Sequence, residues 1–446
     1  MQTALKKARV DCADLVIGMH VCQLDRPWMD TPFMIRGFYI KDIGDIHTVR
    51  NVCKYVFVDK IVQREHLTKS LPGASSAMIM NMSIENQADS KSGQWLSKAS
   101  DELQRNQSNQ PEQDIEDFFP DRKLRQYSNS TTWRDESENA AQAIKGLYDH
   151  IDRFLEISLE GDPLELDKIR RAVEPMVDSV IRNPDACLWS TIMKPPANDE
   201  FDSALRASVF AVVVGRRLGL PRTDLCSLAM GGLLFDIGKL RLGDDILKAD
   251  RKLTSKETEL MQRHVEIGLS ILKRDGLTDQ DIIDFVANHH ERFDGSGYPQ
   301  GIGGDMIPAF GRIAGLVDCY NAITGSRKYA NSRSPAEAIN QLYKLKSVHF
   351  HKDLIEEFIH AIGVYPVGAL VELSSGEVAI VVAQSPTRRL RPIVMLLLDS
   401  SKNRCPGGRY INLEKTTHQV DGRKLDIISN LEPGIFGIDR SKISLS

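Results

Sequence analysis

The sequence predicts a multidomain, mainly α protein, with a central all-α helical domain between a small β-containing N-terminal domain and a small β-rich C-terminal region. Three observations carry that expectation. From about residue 136 to 363 apolar side chains recur at helical spacing, as in Ile144, Leu147, Ile151, Phe154 and Leu155, then Ile169, Val173, Met176 and Val180. Before residue 66 the pattern alternates instead, with Tyr55 and Phe57 set against Val56 and Val58. After Gly363, apolar runs at 367–373, 378–382 and 392–398 are parted by Ser, Gly and Pro turns, as short strands are.

In chain order, residues 1–66 form the first domain, with Gly18, Gly37 and Gly44 as turn punctuation. Its most distinctive run is Leu24-Asp25-Arg26-Pro27-Trp28, followed by Thr31-Pro32-Phe33. An arginine beside a tryptophan is either a ligand or partner surface or a turn whose indole plugs the domain. Residues 67–135 turn to Ser, Asn, Gln and charge, with too little apolar area to offset the entropy of ordering. They read as a flexible polar linker, with Phe118, Phe119 and Pro120 as a short docking point. Residues 136–363 are the helical domain: Thr254 with Glu257 makes a capping box, and Ser334-Pro335-Ala336-Glu337 puts proline at a first helical position. Residues 364–446 continue as short strands and irregular β structure.

Composition excludes several roles. The 446 residues carry a formal charge of −4 and a pI near 6.3, with basic residues scattered, so there is no electrostatic footprint for nucleic acid. Apolar runs fall far short of a bilayer span, and no membrane-spanning helix is expected. The seven cysteines include no CxxC pair, which fits a reducing compartment and a cytoplasmic location.

Acids and imidazoles recur across the helical region. Asp236 ends the apolar helix near 225–234, and His264 shares an inward helix face with Ile267, Gly268 and Ile271. His289 and His290 close a helix that begins near Asp279, and Asp318 lies on the next helix beside Ile313 and Val317. Neighbours on a helix diverge by about 100°, so both imidazoles face one site only where it wraps around the helix end. Asp236, His264, His289, His290 and Asp318 are five metal-ligand types from four helices, better explained by divalent ions than by a core. His349 and His351 flank Phe350 in a loop and read as packing. Gly301, Gly303 and Gly304 follow no strand, so a dinucleotide loop is excluded.

The run His289-His290-Glu291-Arg292-Phe293-Asp294-Gly295-Ser296-Gly297-Tyr298-Pro299 resembles the HHExxDGxGYP signature of HD-GYP domains, a branch of the HD metal-dependent phosphohydrolases. Phe235-Asp236-Ile237-Gly238-Lys239 stands where that family has HDxGK, and the resemblance covers about 203–363. The segment 24–33 is similar to a domain of unknown function that often precedes HD-GYP.

The resemblance implies a central HD-type domain acting on cyclic di-GMP, cut to pGpG and GMP with the help of Fe or Mn ions. It implies Asp236, His264, His289, His290 and Asp318 as metal ligands, with Asp236 and Lys239 in catalysis. Arg327 and Tyr298 would bind substrate, and the GYP loop forms a lip that also offers a surface to a protein partner. Four positions depart from the pattern: Phe235 replaces the HD histidine, Ser203 stands where an upstream histidine is usual, Asn321 where Asp is common, and Ala330 where a basic residue is usual. These losses imply one or two ions, with the first site weak or empty. Three functions follow: a cyclic di-GMP phosphodiesterase with a weakened site, a non-catalytic regulator that binds cyclic di-GMP or a protein, or a hydrolase of another phosphate ester.

Overall fold

The computed structural model describes residues 118–443 apart from 194–198, 248, 250, 326–333, 347, 406–407, 420–421 and 433. Nearer the N-terminus it describes residues 7–12, 15, 20–24, 38–40, 49–50, 53 and 55–59. Two compact units, Met1–Gln94 and Trp95–Ser446, make up the chain.

In the first unit, β1 (Lys7–Asp11), β2 (His20–Leu24), β3 (Phe38–Tyr39) and β4 (Tyr55–Asp59) form an antiparallel sheet in the order β1-β4-β2-β3. Val10 pairs with Val56, and Val21 and Val56 are fully buried, so the alternation places Val56 on a packed face. Arg26, Trp28 and the rest of 25–33 lie outside the described residues.

The stretch expected as a flexible linker ends in ordered chain. Residues 118–132 run across the helical domain, where Phe119 is buried edge-on to Phe310 at 6.3 Å. Arg122 donates to Asp224 and to Asp281, each at 2.6 Å, and the Arg125 amide donates to the Gly219 carbonyl at 2.8 Å. Phe119 docks as the sequence suggests, while composition missed the order around Arg122, whose partners lie about a hundred or more positions downstream, beyond the reach of a window average.

The helical domain starts with α1 (Trp133–Glu160), α2 (Leu166–Arg182) and α3 (Pro184–Ile192). Ile144, Leu147, Ile169, Val173, Met176 and Val180 are all buried, so the two stripes are core faces. α4 (Asp199–Arg217) and α5 (Arg222–Leu234) follow. α5 is apolar on every side and buried from Asp224 to Leu234 apart from Leu233, the pattern of a central helix. Gly232 lets it touch the main chain of α4, since a Cβ there would lie 2.6 Å from Ser208 Cα. A short 3-10 turn (Ile237–Arg241) and α6 (Asp244–Leu247) lead to α7 (Ser255–Gln262) and α8 (His264–Arg274). The helix that carries His264 starts at that residue, after a turn at Arg263, and Leu260 on the helix before it is exposed. The domain closes with α9 (Gln280–Asn288), α10 (Ala309–Thr324), α11 (Pro335–Lys344) and α12 (Lys352–Ile362). Capping boxes form at both Thr254 and Ser334.

Beyond Gly363, β5 (Leu370–Leu373), β6 (Val378–Ala383), β7 (Ile393–Leu398), β8 (Tyr410–Asn412) and β9 (Ile427–Leu431) pair antiparallel in the order β8-β7-β6-β5-β9. Every residue of β6 is buried, as a central strand covered on both faces requires. Tyr410 packs on Trp133 at 5.4 Å, and the Gln384 amide after β6 donates to Asp185 of α3 at 3.0 Å. Among the described residues no helix is long and apolar enough to cross a membrane.

Burial pushes the Asp185 carboxyl up to about 7, against the pull of the Gln384 N–H and the Arg216 guanidinium. Because the folded value lies above the unfolded one, its contribution is greatest below the ordinary carboxylate range and disappears as pH rises through about 7. Asp185→Asn should therefore gain about 2–3 kcal/mol on the wild type between pH 5 and pH 8. Urea unfolding of both proteins at the two pH values tests this, and a difference independent of pH would refute it.

Candidate metal centre

Three helix ends build the centre. Asp236 follows the end of α5, His264 opens α8, and His289 caps the end of α9, so each side chain leaves its helix at a terminus. The close approach is set by Gly238, where a Cβ would stand 1.9 Å from the His264 carbonyl oxygen and 2.6 Å from Gly268 N. Any larger residue would push the Asp236 turn off α8. Because α9 stops at Asn288, His289 and His290 are not bound to helical divergence, and their rings lie 4.1 Å apart.

Asp236, His264, His289 and His290 each offer a ligand atom, all within 4.8 Å of one another. His264 Nδ1 lies 2.7 Å from the Met261 carbonyl and His289 Nδ1 2.7 Å from that of Val286. A carbonyl only accepts, so both Nδ1 atoms carry the proton and both Nε2 atoms are bare in the neutral rings. Yet these Nε2 atoms are 3.1 Å apart, with Asp236 Oδ1 at 3.3 Å from one and 3.8 Å from the other. Asp236 Oδ1 is buried without a hydrogen-bond partner. Protonating His289 is disfavoured, since burial, with His264 adding, drives its imidazole down to about 3. Burial also works against the Asp236 carboxylate, but the Lys239 ammonium beside it holds its pKa well below the usual range, so it stays charged. With both rings neutral, three lone pairs face one another, an arrangement that fits a divalent cation.

Around this trio the other sequence candidates fall at measured distances. Lys239 Nζ donates to Asp236 Oδ2 at 2.6 Å. Asp318 Oδ2 lies 3.4 Å from His290 Nδ1, and burial, then the charge of Asp236, pushes the Asp318 carboxyl up to about 6. Tyr298 stacks on His290 with centroids 4.5 Å apart and planes 28° apart. Arg327 lies outside the described residues. His349 stands 3.8 Å from Asp294, and its carbonyl accepts from Phe293 N at 2.8 Å, so it braces the loop from behind.

Phe235 is 2% exposed and meets His289 edge-on at 4.9 Å and Phe285 at 6.3 Å. Ser203 is joined to Asn321, whose Nδ2 donates to both Ser203 O (2.9 Å) and Oγ (2.8 Å), while Arg206 Nε donates to Asn321 Oδ1 at 3.0 Å. Sequence reading marked Ser203 and Asn321 separately and missed that they are partners. Their separation by 118 positions left no local signal. Also missed were the two tautomer-fixing carbonyls, which no sequence pattern encodes, and the grip of Glu291 on the loop.

Residues 193–354 match the family described as HD domain, residues 7–178 a domain of unknown function, and residues 370–420 a KOW domain associated with HD domains. Among curated proteins the chain is similar to a cyclic di-GMP phosphodiesterase of Pseudomonas aeruginosa, 34% identical over 55% of this chain and 59% of that protein. It is also similar to a 3'3'-cGAMP-specific phosphodiesterase of Vibrio cholerae, 32% identical over 34% of this chain and 29% of the relative. A third, the cyclic di-GMP phosphodiesterase response regulator RpfG of Xanthomonas campestris, is 34% identical over 31% of this chain and 37% of its own. The chain thus spans between about a third and three-fifths of these relatives. Its central region is an HD domain, a fold that binds divalent metals. The HHExxDGxGYP run is complete at 289–299, inside the region that matches the HD domain family.

Removing one imidazole of the trio should cost more metal affinity than losing an outer hydrogen bond. His289→Ala is expected to weaken Mn(II) binding more than roughly 100-fold. An anaerobic calorimetric titration that finds both proteins alike would remove His289 from the centre.

Proposed function

We propose that this chain is a cytoplasmic cyclic di-GMP signalling protein whose HD-GYP site holds a single divalent ion, Fe or Mn, and hydrolyses cyclic di-GMP slowly to pGpG and GMP. The observation that carries this reading is the pairing of losses and retentions. Phe235 puts a buried phenyl ring where the family has a ligand, and Ser203 is committed to Asn321, while the Asp236–His264–His289 trio stays compact. A bound ion supplies positive charge to a phosphoryl oxygen and to an attacking water.

The protein's own side chains do the rest. Asp236, His264 and His289 hold the ion, and His290 with Asp318 lies beside them as a further donor pair. Lys239 keeps Asp236 ionised and brings an ammonium to the site for phosphate charge, and Arg327 adds a guanidinium. Tyr298, half-buried with one face on His290, offers its ring as a stacking platform for a base. The GYP loop is also the surface we assign to a protein partner.

A second reading, binding without turnover, is favoured by Phe235 itself, because an apolar ring cannot replace an imidazole ligand. Protein purified without oxygen, loaded with Fe(II) or Mn(II) and given cyclic di-GMP, separates the two. About one ion per chain is expected, with slow release of pGpG and GMP that His290→Ala abolishes. The pair Phe235→His and Ser203→His should raise the rate at least about 10-fold and add a second ion. Calorimetric binding without product would establish the second reading. No binding of cyclic di-GMP, with hydrolysis of 3'3'-cGAMP or another phosphate ester, would overturn the substrate assignment.

A further inference from the structure

We propose that Glu291 is a positioning residue that sets Tyr298 as a lid over the His290 side of the centre; its consequence for ligand affinity rests on the cyclic di-GMP reading above. Glu291 follows His290 directly, yet it is absent from the ligand cluster and only 3% exposed. Its Oε1 accepts main-chain N–H groups from Gln300 at 2.7 Å and Gly301 at 3.2 Å. A buried carboxylate that gathers the N–H groups of a loop tip ties that tip to the residue after His290, because a carboxylate oxygen is a strong acceptor for main-chain N–H groups.

The loop has two other ties. Gly304 N donates to Phe293 O at 2.8 Å at its base, and Tyr298 N donates to His290 O at 3.2 Å. Gly297 allows the second, since a Cβ there would lie 2.4 Å from the His290 carbonyl oxygen and 2.5 Å from Glu291 Cα. Tyr298 is therefore placed between a single main-chain bond and the Glu291 clamp two residues on. The stack of its ring on His290 depends on both.

The other carboxylate oxygen explains why a neutral replacement should work. Oε2 is buried without a hydrogen-bond partner, and Glu291 lines a small cavity with Phe293, Arg312, His349 and Phe350. In Glu291→Gln the amide oxygen can keep the loop N–H groups while the NH2 turns to this cavity. His349 lines the same cavity. Alanine offers neither.

Four variants of the full chain loaded with Mn(II) test this: Glu291→Ala, Glu291→Gln, Tyr298→Ala and the double Glu291→Ala/Tyr298→Ala. In Glu291→Ala, amide exchange at Gln300 and Gly301 should accelerate and cyclic di-GMP affinity fall, each at least about 10-fold. Mn(II) affinity should stay within about 3-fold, since the trio is untouched. Glu291→Gln should restore both readouts, and the double variant should bind no worse than Tyr298→Ala alone, because Glu291 acts through that ring. Unchanged amide protection in Glu291→Ala, or losses that multiply in the double variant, would overturn the proposal. Should Glu291→Ala not fold, Gln300→Pro deletes one of the two donors from the exposed side, and exchange at Gly301 decides the question in the same way. If the wild type binds no cyclic di-GMP, the functional reading fails and the exchange arm alone decides the clamp.

Discussion

Two bare imidazole nitrogens and a charged carboxylate oxygen meet within 3.1–3.8 Å, and much of the domain is arranged to keep them there. Their mutual repulsion has to be opposed from outside. The carbonyls of Met261 and Val286 lock the ring orientations, Lys239 balances the carboxylate, and Gly238 allows the Asp236 turn to lie directly on α8. Rigid helices carry the strain because each donor sits at a helix end whose direction is set by the core. The central helix α5, buried on all sides, anchors the first of these ends.

The replaced positions are satisfied in their own right. Phe235 fills its place with an edge-on contact to His289, and Ser203, Asn321 and Arg206 form a short hydrogen-bonded chain between α4 and α10. Apolar packing holds Phe235, and hydrogen bonds, one of them from the Arg206 guanidinium, hold Ser203 and Asn321. The trio and these two positions are thus held differently, the first by helix ends that aim three ligand-type atoms at one another and the second by packing and hydrogen bonds.

Outside the centre, the segment 118–132 and the C-terminal sheet both brace the helical domain. Arg122 ties the first to α5 and α9, and Asp185 with Gln384 ties the second to α3. The loop that carries Tyr298 is braced from the opposite side by the Phe293–His349 main-chain bond, so the lip of the site and the loop before α12 form one surface.

The helical stripes at 144–154 and 169–180, both capping motifs, the late strands and the five ligand-type residues were all legible in the sequence. Each is a local pattern, written in the 3.6 or 2 residue period or in a short run such as 289–299. The turn at Arg263, the order around Arg122, the Ser203–Asn321 pairing and the loop clamp were not legible. All four depend on which distant atoms complete a hydrogen bond or fill a gap, and that is decided when the helices pack. By itself the sequence pointed to Asp236, His264, His289 and His290, the ligand-type residues that the structure brings together. Only the tertiary structure decided that lone pairs of three of them face one another, because lone-pair directions follow from ring orientation and helix ends and not from residue identity.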